Sequence, residues 1–257
     1  MANNQRSREK RREEREAAEA KEAGADRRTR LLQLAAGGVF LAIIIVVVVI
    51  IVAGGSNKSG GDASNLVEKA DVQKLIGDTP QNNNTLGETS APVKLYEYGD
   101  LQCSACKYYS EEILPELIEK QVRTGKATIT FRNFTIIGPQ SLPAGESFLA
   151  ASAQGMGWTY LETWYRNQGP ENGGYVTEDF VEAMAKYVGI PNVAKFMKEW
   201  KSEKYKATVE ATTAQANKFG FSATPSFAVE GPNSEGLELL GTPETTEAIE
   251  EAIEKAA

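Results

Sequence analysis

The chain has 257 residues, 41% of them hydrophobic, with 28 Lys/Arg against 35 Asp/Glu and a formal net charge of −7. This is enough for one well-packed domain plus appendages, with a core that need not rely on crosslinks. Histidine is absent and there are two cysteines, so short of a dimer pooling four thiolates no closed four-ligand nitrogen/sulfur metal site can be built, and neither a metal nor a cofactor is expected.

Residues 1–30 hold ten Lys/Arg and seven Asp/Glu. Lys10 with Glu14, Arg12 with Glu16 and Arg15 with Glu19 are spaced i,i+4, and the mixed signs suit a solvated face better than a nucleic-acid arm. From Leu31 to Ala53, "LLQLAAGGVFLAIIIVVVVIIVA" carries no charge over 23 residues. As a helix this run spans roughly 34 Å against a hydrocarbon core of about 30 Å. It is expected to be a transmembrane helix retained as an anchor, because a cleaved signal has an apolar region of only ~7 to 15 residues.

Arg27, Arg28 and Arg30 abut this segment, and Lys58 is the first charge on its far side. The expected orientation therefore has a cytoplasmic N-terminus, single-pass anchoring in the cell membrane and an extracytoplasmic remainder. Removing the ten basic and seven acidic residues of the tail from the totals of 28 and 35 leaves a net charge of −10 beyond the helix. Neither nucleic acid nor anionic lipid is an expected partner of that part. Residues 54–90, from "GGSNKSGGDASN" through "GDTPQNNNTLGETSAP", have the composition of a flexible linker, which puts the start of the folded domain, 91–257, near Ala91.

Within the domain, "PVKLYEYGD" alternates like a strand. "CSACKYYSEEILPELIEKQV" then puts Ile113, Leu114, Leu117 and Ile118 on one helical face, interrupted by Pro115 where a kink is expected. "KATITFRNFTI" is a second predicted strand. A helical stretch is predicted from about Leu142 to Asn167, with further helices in "TEDFVEAMAKYVG" and "VAKFMKEWKSEKYKATVEATTAQANKFG". "PSFAVEG" and "GLELLG" read as a strand pair and "TPETTEAIEEAIEKAA" as a closing helix. The order is that of an α/β thioredoxin fold with a helical insertion at about 139–220.

Both cysteines, Cys103 and Cys106, fall at the junction of the first strand and helix. A cysteine at a helix N-terminus is stabilised as thiolate by unpaired backbone N–H groups, so Cys103 is the expected nucleophile. Cys106, one turn further on, is placed to attack the mixed disulfide and resolve it. A merely structural disulfide closing so short a loop would add only roughly 2 kcal/mol, and a metal site lacks ligands. Glu97, six residues before Cys103 on the strand, could lie beneath the pair, raised in pKa by burial, and exchange a proton with Cys106. Asp100 reads as a loop or capping residue.

"LGETSAPVKLYEYGDLQCSAC", "SLPAGESFLAASAQGMGWTYLETWYRNQ" and "AQANKFGFSATPSFAVEG", in this order, carry a resemblance to the membrane-anchored DsbA-like thiol-disulfide oxidoreductases of bacteria, running from about Leu86 to the C-terminus. The departure is the dipeptide Ser104-Ala105, where the best-known oxidases have Pro-His; it bears on redox potential more than on reaction type. The family often keeps an acidic residue at the position of Glu97. The resemblance also implies a cis Thr224-Pro225 bond facing the cysteines and a backbone edge there for a substrate peptide, where the residues alone suggest a strand-initiating proline.

The expected activity is disulfide donation to exported cysteine-containing proteins, with reoxidation by a quinone-linked membrane thiol oxidase. The alternatives are a reductase or isomerase fed by a membrane electron carrier, and a non-catalytic anchored binding module. Trp158, Tyr160, Trp164 and Tyr165 suit a core better than a peptide groove.

Overall fold

The computed structural model describes residues 64–257 apart from Glu244. The expected tail and transmembrane helix lie outside the described residues, and among the described residues no helix is long and apolar enough to cross a membrane.

Strand β3 (Val93–Gly99) is the centre of a six-stranded sheet of order β1-β2-β4-β3-β5-β6, with β1 (Gln81–Asn82), β2 (Thr85–Leu86), β4 (Ala127–Asn133), β5 (Ser226–Glu230) and β6 (Glu238–Gly241). It runs parallel to β4 and antiparallel to β5. A parallel neighbour demands a crossover, and the helical path that follows Cys103 supplies it. In the register, Leu95 faces Ile129 and Val229, and Glu97 faces Phe131 and Phe227. The strand alternation thus puts one carboxylate in an otherwise apolar row of the central strands.

The crossover is continuous from Ser104 to Val122 but alternates between α2 (Ser104–Tyr108), a π turn (Tyr109–Ile113), α3 (Leu114–Leu117) and a second π turn (Ile118–Val122). The N–H of Leu114 reaches back to the carbonyl of Tyr109. Pro115, which has no N–H to give, follows directly, so the expected kink is realised as an inserted wide turn. Ile113, Leu114, Leu117 and Ile118 are buried in the main core together with Val93, Leu95, Ile249 and Ile253.

The sheet begins earlier in the chain than the linker reading of 54–90 allows. Helix α1 (Lys69–Ile76) buries Val72 and Ile76, and the β1–β2 hairpin buries Leu86 while β2 pairs with β4. The polar run that suggested a linker is used in side-chain bonds. Gln81 Nε2 donates to Thr159 Oγ1 at 2.9 Å, and Asn84 Nδ2 to the Phe131 carbonyl at 2.7 Å. From residue 64 to residue 90 the linker assignment is therefore corrected: few buried apolar residues suffice where the polar ones are paired with the domain.

The insertion comprises α4 (Ser141–Ser152), α5 (Gly157–Arg166), α6 (Glu178–Val188), α7 (Val193–Lys201) and α8 (Lys206–Lys218). The predicted stretch from Leu142 to Asn167 is broken at Gly155, whose φ of 75° suits glycine. Thr177 caps α6 by accepting the N–H of Phe180, and Gly189 ends it in the left-handed region. Helix α9 (Thr246–Ala256) closes the fold, capped by Thr245. Tyr98, on the face of β3 opposite Glu97, packs with Phe134, Ala216, Phe221 and Ala228 in a separate small cluster.

Candidate active site

The sharp turn between β3 and α2 presents both thiols. Cys103 is the N-cap of α2, with φ −73° and ψ 121°. Its Sγ accepts the N–H of Cys106 at 3.3 Å and lies 3.3 Å from the Thr224 carbonyl, to which the thiol donates. The Cys106 thiol, the Thr224 side chain and the Cys106 N–H all draw the pKa of Cys103 below the ordinary thiol value, against an opposing effect of burial and of the Asp100 charge. Cys106 is fully buried and shifts the other way, well above an ordinary thiol, through burial first and then its contact with Cys103. Two chemically identical side chains three residues apart are thus made unequal by their surroundings.

Glu97 is the third group. It is 3% exposed, and burial, followed by the charges of Glu162 and Cys103, pushes its carboxyl up to about 8. Its charge in turn contributes to the upward shift of Cys106. Glu162, on α5, is itself buried. One of its oxygens accepts from Ser110 Oγ at 2.9 Å and Arg166 Nη1 at 2.7 Å, while the other has no partner among the described residues.

Thr224 and Pro225 form the loop ahead of β5; their peptide bond is cis, and both residues are buried. The Thr224 carbonyl brings this loop into contact with Cys103.

Much of the support for the turn is contributed by residues whose part in it the sequence did not show. Asp100 does more than cap. Its carboxylate accepts the N–H groups of Gln102 at 2.9 Å, Ile136 at 2.8 Å and Ile137 at 3.0 Å, so one side chain pins the cysteine turn to the segment after β4. The Leu101 carbonyl accepts from Trp164 Nε1 at 2.8 Å, Gln168 Nε2 at 2.8 Å and the Tyr175 hydroxyl at 3.2 Å. Trp158, Tyr160, Trp164 and Tyr165 are all buried, which places them in the core rather than in a groove. Trp164 adds to that core role a donor aimed at the turn, the usual arrangement for a buried indole. A Trp or Gln more than sixty residues away gives no sequence signal of such a bond.

A dithiol with one acidic and one basic sulfur and a neighbouring carboxyl near neutrality can exchange disulfides. The family model described as thioredoxin matches residues 79–255. The chain belongs to the thioredoxin family. Among curated proteins it is 32% identical over 152 residues to the probable disulfide bond formation protein D of Bacillus cereus, covering 57% of this chain and 69% of that protein. With the probable disulfide bond formation protein D of Bacillus anthracis the identity is 29% over 174 residues, covering 62% and 79%. The fold is similar to the crystal structure of oxidised BdbD from Bacillus subtilis, with a TM-score of 0.61 at 22% identity over 69% of this chain and 95% of that one. It is also similar to DsbA of Chlamydia trachomatis, with a TM-score of 0.57 at 20% identity over 67% and 90%. This family member is a protein thiol-disulfide oxidoreductase of the DsbA-like kind.

Proposed function

We propose that the chain donates disulfides to exported proteins from the outer side of the cell membrane, with Cys103 as the exchanging sulfur and Cys106 as its buried partner. The observation that carries this reading is the opposed pKa shifts of the two thiols, downward at Cys103 and upward at Cys106. In the donor direction a client thiolate attacks Cys103 Sγ and the Cys103–Cys106 bond breaks. Its electron pair leaves on Cys106, which takes a proton from Glu97. The second client thiolate then attacks the client sulfur of the mixed disulfide and expels Cys103 as thiolate. The client is oxidised by two electrons and the pair is reduced by two. A low pKa at Cys103 makes it a good leaving group, and a high pKa at Cys106 favours its protonated, departed form.

The Thr224-Pro225 loop is the proposed docking edge for the client backbone, supported by its contact with Cys103. After each turnover the chain is a dithiol, and with two cysteines and no histidine in its sequence it needs an external oxidant. A quinone-linked membrane thiol oxidase fits, because an anchor at residues 31–53 would hold the domain near such a partner at high effective concentration.

An equilibrium titration of the pair against glutathione tests the direction. A potential toward the oxidising end of the roughly −120 to −270 mV span of thioredoxin-fold proteins supports the donor, and one at the reducing end replaces it with a reductase. In cells, alkylation trapping should find the pair mostly oxidised, and mostly reduced once the oxidase is removed. The reverse pattern on loss of a membrane thiol-reducing carrier means that electrons flow the other way.

A further inference from the structure

The segment after α5 folds back across the cysteine turn as a strap. Gln168 Nε2 bonds the carbonyls of Leu101 and Cys103 at 2.8 and 3.1 Å, and the N–H of Asn172 bonds Gln102 Oε1 at 3.1 Å. Asn172 adopts a φ of 57° there, and its Oδ1 occupies the space in which a Cβ on Gly138 would lie, 1.8 Å away. These contacts bring Glu171 to the start of α2. Its Oε1 accepts both the backbone N–H and the hydroxyl of Ser104, each at 2.8 Å. Ser104 is the residue after Cys103, and its side chain is half of the dipeptide between the cysteines.

A carboxylate held on that N–H has two effects on the adjacent sulfur. It takes up a donor at the helix start that would otherwise favour negative charge on Cys103, and it sets a like charge nearby. The Tyr175 hydroxyl, which also bonds the cysteine turn, is shifted upward first by burial, with smaller contributions from the Asp100 and Glu171 charges. Around Cys103 the other ionisable groups include Asp100, Glu97, Cys106 and the Tyr165 hydroxyl, all acidic in type, and among the described residues no cation bonds its sulfur. Glu171 therefore adds to a one-signed environment and differs from the others in being exposed and replaceable.

We propose that Glu171, bound through Ser104, is a positioning residue that weakens the stabilisation of negative charge on Cys103 and makes the pair a milder oxidant than its cysteine geometry alone would give. This rests on the reading of Cys103 as the exchanging sulfur. It assigns the dipeptide serine a role: Ser104 supplies the hydroxyl that, with its own N–H, fixes the carboxylate in place.

The test uses the full-length protein and the Glu171→Gln variant, in which the amide oxygen can still accept from Ser104 but the charge is gone. The acidity of Cys103 is read in the Cys106→Ala background from the pH dependence of alkylation, and the glutathione equilibrium is read with both cysteines present. The expected result is a lower Cys103 pKa and a glutathione equilibrium shifted about three- to tenfold toward the dithiol, the scale of one nearby surface charge. In about 1 M salt the variant and the parent should converge, because screening removes a charge effect and leaves a packing effect intact. Glu171→Asp, which keeps the charge, should stay near the parent. An unchanged pKa and equilibrium in Glu171→Gln overturns the proposal, as does a shift that persists undiminished in salt. If Cys106→Ala traps no client at all, the assignment of Cys103 has failed first, which is a separable outcome.

Discussion

The backbone N–H of Cys106 points at Cys103 Sγ from 3.3 Å, so the second cysteine stabilises the first through its main chain while its own thiol is shut away from water. This geometry divides labour between the two. Cys106→Ala should accumulate mixed disulfides with client proteins, because Cys103 still attacks client disulfides, expelling one client sulfur as thiolate, and no Cys106 thiol remains to release the other by attack on Cys103, whereas Cys103→Ala should form few or none. Non-reducing gels of cells expressing each variant read this directly. Equal trapping by both would reverse or cancel the assignment. In rapid-mixing experiments, Glu97→Gln should slow the step in which Cys106 gains or loses its proton more than the attack on Cys103.

Asp100 carries the next expectation. Three backbone N–H groups, from Gln102, Ile136 and Ile137, end on its carboxylate inside the protein. Asp100→Ala leaves them without that acceptor and should cost roughly 2–4 kcal/mol in urea unfolding, with Asp100→Asn intermediate because one acceptor oxygen remains. Exchange should slow as well, since the turn that aims Cys103 loses its tie to the segment after β4. A cost within about 0.5 kcal/mol for the alanine variant would mean that water replaces the carboxylate at that site.

How far the sequence reached depended on the range of the interactions concerned. The strand alternation around Leu95 and Glu97 and the junction at Cys103 are local patterns and were legible, as was the strand–helix–strand order that a thioredoxin fold requires. Asp100 looked like a local cap because its decisive partners, Ile136 and Ile137, lie 36 and 37 residues on. Glu171 was silent because its role depends on a strap that only the folded chain brings over Ser104. The linker assignment failed at Gln81 and Asn84 for a related reason: polar residues read as solvated until their bonds to Thr159 and Phe131 are seen.

The charge pattern around residues 31–53 makes a cellular prediction. In intact cells stripped of their outer wall, added protease should digest the part of the chain after Ala53 and leave a tag placed before Arg30 intact. The opposite protection pattern would remove the compartment on which disulfide donation depends, because cytosolic thiols are kept reduced.

Glu97 ties stability to pH with a definite sign. Its carboxyl titrates at about 8 in the fold against an ordinary value of 4.5. Between those values the native state holds a proton that the unfolded state has released. The native carboxyl's share of stability is therefore fully present below 4.5 and is lost as pH rises to about 8. Glutamine keeps the shape and cannot ionise, so Glu97→Gln should match the parent near the acid end of that window and gain on it steadily toward the alkaline end. The gain should be on the order of a few kcal/mol, read as a difference of several degrees in Tm. The measurement belongs on the disulfide form, in which neither thiol titrates, while burial and the Glu162 charge still act on Glu97. A Tm difference that does not change with pH would show that Glu97 is not raised. It would then also lose its proposed part in exchange, since a carboxyl ionised throughout the neutral range has no proton to hand to Cys106.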